Sequence, residues 1–155
     1  MQDILLEEGM NAPDFKLVGS DKKEHKLSDY INKKVILYFY PKDNTPGCSR
    51  EAQDFKKSIK DFTDNNTVII GVSRDSLKSH DKFIEKYDLP FLLLSDEDEV
   101  VCNLYGVLKE KNMFGKKCFG IERSTFLIDE KGIITKIYRK VKVPGHIDDL
   151  KCSIK

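Results

Sequence analysis

A chain of 155 residues with 39% hydrophobic and 34% charged side chains has the make-up of an ordinary soluble protein with one sizeable core. Its 27 basic residues nearly cancel its 26 acidic ones, leaving +1, so no global field recruits nucleic acid or a membrane surface. No apolar run approaches the roughly 18 residues of a membrane span, and the acidic opening MQDILLEEGM lacks the basic and apolar regions of a secretory signal.

The chain begins with a lead-in to Asn11. Phe15-Lys16-Leu17 opens an alternating strand, the polar run from Gly19 to Glu24 turns it, and His25-Lys26-Leu27 returns as its hairpin partner. Val35 to Tyr40 is an unbroken apolar run rich in β-branched and aromatic residues, the pattern of a strand buried on both faces. Pro41 stops it, having no N–H for a sheet ladder. Asp43 to Gly47 carries turn chemistry, and Thr45-Pro46 is predicted to be an N-cap followed by proline in the first helical turn. Cys48, Ala52, Phe55, Ile59 and Phe62 then recur at steps of three and four, one face of a helix that runs to Asn65-Asn66.

Thr67 to Val72 is a second buried strand, and Ser73-Arg74-Asp75 leads to a helix with Leu77, Phe83, Ile84 and Tyr87 on one face. Pro90 closes that unit before a third strand, Phe91 to Leu94. Ser95 with Asp98 resembles a capping box for a helix carrying Val101, Leu104 and Tyr105, closed by Gly106. The basic stretch 107–120 is expected to be mostly loop. Ile121 to Asp129 and Ile133 to Val141 are predicted strands joined by Glu130-Lys131-Gly132, and Pro144-Gly145 introduces a last helix from about His146. With no repeat or linker, the alternation of strands and helices predicts one layered α/β domain with a mixed sheet, residues 1–155.

Cys48 stands in the first turn of a helix that opens just after a buried strand. Free N–H groups and the positive end of the helix dipole favour an anion there, and the thiolate is the nucleophilic form of cysteine. Most free cysteines merely fill small apolar gaps; this loop, with Thr45 three residues upstream, argues for a reactive one. Cys48, Cys102, Cys118 and Cys152 lie far apart in a chain without a signal, and so read as cytoplasmic thiols and not as a disulfide framework.

The spacing Pro41-x-x-x-Thr45-x-x-Cys48 resembles the active-site loop of the peroxiredoxins. The wider run YFYPKDNTPGC, with IERSTFLID at 121–129, is similar to the bacterioferritin comigratory protein, or Q-type, group, and the likeness covers nearly the whole chain. It implies a thioredoxin-like fold with an added N-terminal β-hairpin. It also implies that Cys48 is the peroxidatic cysteine, that Thr45 and Arg123 hydrogen-bond the peroxide and the thiolate, that Pro41 shields the site and that Glu51 orients the arginine. The implied activity is thiol-dependent reduction of hydrogen peroxide and organic hydroperoxides in antioxidant defence. No cofactor or metal is implied. The resemblance implies electrons from thioredoxin or another thiol reductant, and a monomer or weak homodimer is expected.

By its own pattern Arg123 lies mid-strand between Ile121 and Thr125. His25, His80 and His146 have no metal-ligand spacing and read as ordinary surface or helix residues, and Lys109, Lys111, Lys116 and Lys117 as a solvated loop. One departure from the group stands out. Many members carry a resolving cysteine five residues after the peroxidatic one, where this chain has Gln53; others place it in the next helix, and 76–88 has none. Cys102 reads as core and Cys152 as a spectator. Cys118 remains the candidate partner, because its loop leads into the Arg123 strand. Single-cysteine or atypical resolution is therefore expected. The other function class open to such a chain is a redox-sensing protein that relays oxidation of Cys48 to a partner.

Overall fold

The computed structural model describes residues 5–154, and its centre is the strand β3 (Lys34–Phe39). Alternate side chains of β3 enter two different cores: Val35, Leu37 and Phe39 on one face, Ile36 and Tyr38 on the other. Both faces are covered, so the strand is apolar without alternation. It pairs in parallel with β4 (Thr67–Ser73) and antiparallel with β8 (Ser124–Ile128), and β5 (Leu92–Ser95) and β9 (Ile134–Tyr138) complete a mixed sheet in the order β5-β4-β3-β8-β9. Helices α1 (Pro46–Lys57), α2 (Ile59–Asp64), α3 (Leu77–Tyr87) and α5 (His146–Ser153) cover the Tyr38 face. The opposite face packs against α4 (Val100–Leu104) and the N-terminal hairpin of β1 (Lys16–Val18) and β2 (Glu24–Lys26). No helix among the described residues is long and apolar enough to cross a membrane.

Four expectations need correction. The stretch 107–120 is not loop but an antiparallel ribbon of β6 (Leu108–Met113) and β7 (Lys116–Ile121), turned by Phe114-Gly115, both with positive φ. Such a two-residue turn matches the twist of a hairpin; most of β7 is exposed, so the usual apolar alternation is missing. The expected strand from Ile121 breaks at Glu122 and Arg123, where Glu122 N–H donates to Val107 O (2.7 Å) and Arg123 O accepts from Val141 N–H (3.0 Å), and β8 starts only at Ser124. The Cys48 helix breaks at Ser58, yet Phe55 and Phe62 remain packed with ring centroids 6.1 Å apart. The Ser95–Asp98 box does not form. Glu99 holds the N-cap position in a left-handed conformation, and the buried Asp96 carboxylate accepts from Val101 N–H (3.2 Å) and Cys102 N–H (2.7 Å) instead.

Tyr38 fixes how closely β3 and β4 are overlaid. It pairs with Gly71, where an added Cβ would lie 2.8 Å from a Leu93 methyl and 2.9 Å from the Tyr38 ring. The ring in turn packs on Phe55 of α1 at 4.6 Å between centroids. Gly71→Ala should therefore overpack this layer and destabilise the protein by about 1–3 kcal/mol. A chemical-denaturation midpoint equal to that of the wild type would refute this packing account.

Candidate active site

The site forms where β3 runs out. Tyr40 N–H makes the last ladder bond, to Val72 O at 3.1 Å, and the chain leaves the sheet at half-buried Pro41. Asn44 takes a left-handed φ of 60°, and Thr45 then occupies the N-cap of α1 with Pro46 at the first helical position. The expected cap is only half made. The Thr45 carbonyl accepts from Ser49 N–H at 2.8 Å, but its hydroxyl donates backwards to Lys42 O at 2.9 Å and caps no helical N–H.

Cys48 follows in the first turn of α1, 2% exposed. Glu51, one turn further on, shares its face of the helix and is fully buried. Arg123 reaches both. Its Nη2 lies 3.3 Å from Cys48 Sγ and its Nη1 donates to Glu51 Oε1 at 2.6 Å. The fixed fork of a guanidinium suits this task, because two donors on one rigid plane hold two groups of a helix in register. Gly47 leaves the room for it, since a Cβ there would sit 3.1 Å from Nη2. Arg123 is thus neither mid-strand nor an exposed edge residue; it projects from the bend between β7 and β8.

The electrostatics are unequal. Burial pushes the Glu51 carboxyl up to about 7, against the downward pull of the Arg123 charge and hydrogen bond. For Arg123 burial opposes the charge, but Glu51 and Cys48 outweigh it and raise the pKa further. Glu51 Oε2 and the nearby Tyr38 hydroxyl are buried without a hydrogen-bond partner among the described residues. Burial, then the charges of Glu51 and Cys48, hold the Tyr38 phenol far above its usual range, so it stays neutral.

The other three thiols are not gathered here, and all four cysteines are unpaired. Cys102 is sealed in the core on the opposite face of the sheet, where burial and the neighbouring Asp96 push its thiol far up. Cys118 is exposed on β7, paired with Lys111, about 10 Å of strand before Ile121. Cys152 is exposed on α5. Sequence reasoning missed the histidines. His80 is fully buried, bonded to Asp43 of the active-site loop at 2.7 Å; His146, 5% exposed, meets the Thr125 hydroxyl at 2.8 Å. Burial pushes His146 down to about 4, so it is neutral at pH 7. His25 too has an acidic neighbour, Asp21 at 2.9 Å. A signal for His80 existed: it falls three, four and seven residues before Phe83, Ile84 and Tyr87, on the apolar face of α3.

The model of the AhpC/TSA family matches residues 9–137. The chain is 50% identical over 152 residues to Peroxiredoxin Bcp of Bacillus subtilis, covering 98% of this chain and 97% of that protein. A solved Xanthomonas campestris bacterioferritin comigratory protein, described for its alkyl peroxide reduction activity, superposes with a TM-score of 0.87 at 44% identity over 90% of this chain and 89% of its own. A cysteine-to-serine variant of Xylella fastidiosa PrxQ gives 0.91 at 42% identity, with 96% and 95% covered.

The raised Glu51 pKa makes a pH prediction with a definite sign. Between the usual 4.5 and about 7 the folded protein keeps a proton that the unfolded chain has lost. The stability from Glu51 is therefore full below 4.5 and lost as the pH rises through about 7. Denaturation midpoints from about pH 5 to about pH 8 should show this loss in the wild type and a flatter profile in Glu51→Gln. Parallel profiles would contradict it.

Proposed function

The chain belongs to the AhpC/TSA family and is a peroxiredoxin, a thiol peroxidase of the Bcp group, and from that premise we propose that Cys48 is its peroxidatic nucleophile. The observation that carries this reading is the Arg123 guanidinium lying against Cys48 Sγ while Glu51 holds its other arm. A positive charge in a site closed to water stabilises a thiolate and offers donors to a peroxide oxygen. The Cys48 sulfur attacks one oxygen of the O–O bond and becomes a sulfenic acid; the other oxygen leaves and takes up a proton, as water from hydrogen peroxide or as an alcohol from an organic hydroperoxide. The alkyl peroxide activity of the Xanthomonas relative supports the second substrate class. Thr45, whose hydroxyl donates to the Lys42 carbonyl, offers its oxygen as an acceptor for the bound peroxide, and Pro41 screens the sulfur from bulk water.

The sulfenic acid is resolved by an external thiol, thioredoxin or another reductant. That thiol attacks the Cys48 sulfur, water leaves, and a second thiol displaces the mixed disulfide to restore the thiolate. Three placements support this route. Gln53 stands where a local partner would be, Cys102 lies behind the sheet, and Cys118 is held, exposed and unpaired, in a six-pair ribbon. The four unpaired thiols fit a reducing compartment, which favours the cytoplasm.

Cys48→Ser should abolish peroxide consumption with the fold intact; persistent activity would displace Cys48 from the role. Arg123→Ala should slow the first oxidation step by roughly ten- to a hundredfold, the worth of a hydrogen bond to a charged group, in stopped-flow measurements with hydrogen peroxide. Replacing Cys102, Cys118 and Cys152 singly by serine should leave turnover with an excess of small thiol unchanged. A stoichiometric Cys48–Cys118 disulfide in non-reducing peptide maps after one equivalent of peroxide would instead establish internal resolution.

A further inference from the structure

Asp43 lies in the loop between Pro41 and Thr45, and only 6% of it is exposed. Two hydroxyls donate to its carboxylate, Tyr40 Oη to Oδ1 at 2.6 Å and Ser79 Oγ to Oδ2 at 2.8 Å, and His80 Nδ1 lies 2.7 Å from Oδ2. Its own backbone N–H donates to Asp75 Oδ2 at 2.8 Å, and that oxygen accepts a second bond from Ser73 Oγ at 2.7 Å. One loop residue thereby ties together the end of β3, the start of α3 and the connection after β4.

The second ring nitrogen of His80, Nε2, lies 2.9 Å from the Leu94 carbonyl. A carbonyl oxygen can only accept a hydrogen bond. A carboxylate that accepts from two hydroxyls, one on each oxygen, is favoured as the anion, which also only accepts. Neutral imidazole has one N–H and one lone pair, so either tautomer would press a lone pair against one of these oxygens.

We infer that His80 is an imidazolium at neutral pH and a positioning residue for the peroxidase reaction, its ion pair with Asp43 holding the active-site loop against α3. The inference rests on the reading of Cys48 as the nucleophile and reaches the reaction only through the loop. The charged groups around the ring are Asp43, on the loop after β3, and Asp75, after β4; β3 presents the Tyr40 hydroxyl and β5 the Leu94 carbonyl. Burial opposes the charged ring, and the hydrogen bond and charge of Asp43 outweigh it, so the His80 pKa is raised. The brace is complete below the ordinary value of 6.5 and is lost as the pH climbs through the raised one.

The loop needs such a restraint. Asn44 beside Asp43 sits at φ 60°, a conformation uncommon for any residue with a side chain, and is itself pinned by Lys86 Nζ at 2.9 Å. Thr45 and Pro46 follow at once, so a loop released from α3 shifts the start of α1 and with it Cys48 relative to Arg123.

Long-range proton–nitrogen spectra of the 15N-labelled full chain at pH 7 should show two protonated ring nitrogens on His80, against one on His146, whose pKa is about 4. A neutral His80 ring, with the proton on Asp43 or absent, overturns the inference and leaves the role of Cys48 untouched. In stopped-flow oxidation by hydrogen peroxide, His80→Gln and Asp43→Asn should each react about tenfold more slowly than wild type at neutral pH. The ratio of wild-type to His80→Gln rate should fall toward one as the pH passes the His80 pKa. Equal rates at every pH, or a ratio that ignores pH, overturn the positioning role. Should His80→Gln fail to fold, Ser79→Ala removes one bond from the same carboxylate and must still slow the oxidation. Continued peroxide consumption by Cys48→Ser would undo the nucleophile assignment without touching the charge of the ring.

Discussion

One guanidinium between two acidic groups of a single helix organises this molecule. Arg123 can reach Cys48 and Glu51 because β8 lies antiparallel against β3, with Phe39 opposite Ser124. That register puts the bend before β8 beside the place where β3 gives way to the active-site loop. Helix α1 then starts a few residues later and returns over the same face, so its first two turns point at the bend. A register slip of one residue would turn every side chain of β8 to the opposite face.

The sheet also acts as a partition. Buried on both faces, it keeps Cys48 among the aromatic rings of Tyr38, Tyr40 and Phe55 and keeps Cys102 on the far side with Val101 and Tyr105. Two buried thiols thus have different neighbours: one meets an arginine, the other an aspartate. Both are buried, so the charge placed beside each sulfur is what distinguishes the candidate nucleophile from the filler: a positive neighbour favours a thiolate and a negative one the thiol.

Beneath the loop, polar groups carry the load that apolar packing cannot. A segment with a left-handed asparagine and a proline on either side has few backbone partners of its own, and its order comes from Asp43, Ser79, His80 and Asp75. Each of those groups is costly to bury alone and acceptable to bury together, since every donor meets an acceptor. The Arg123 side of the site is less complete, since Glu51 Oε2 and the Tyr38 hydroxyl have no hydrogen-bond partner among the described residues.

What the sequence determined by itself is whatever a few consecutive residues encode. The apolar run of β3, the breaks at Pro41 and Pro90, the helix opening at Cys48, the N-terminal hairpin and the mixed α/β class are all legible in period and turn chemistry, and resemblance named Arg123 and Glu51 as companions of Cys48. The β6–β7 ribbon was not legible, because its exposed strand carries no apolar alternation, and neither was the break at Ser58, which leaves the three-four spacing of Phe55 and Phe62 undisturbed. Only tertiary structure decided that the Thr45 hydroxyl turns to Lys42, that Asp96 caps α4, and that His80 meets a loop residue 37 positions earlier. A hydrophobic period reports which face of an element is buried, whereas the partner of a buried donor depends on which other elements arrive there, and that is set by strand pairing between residues far apart in the chain.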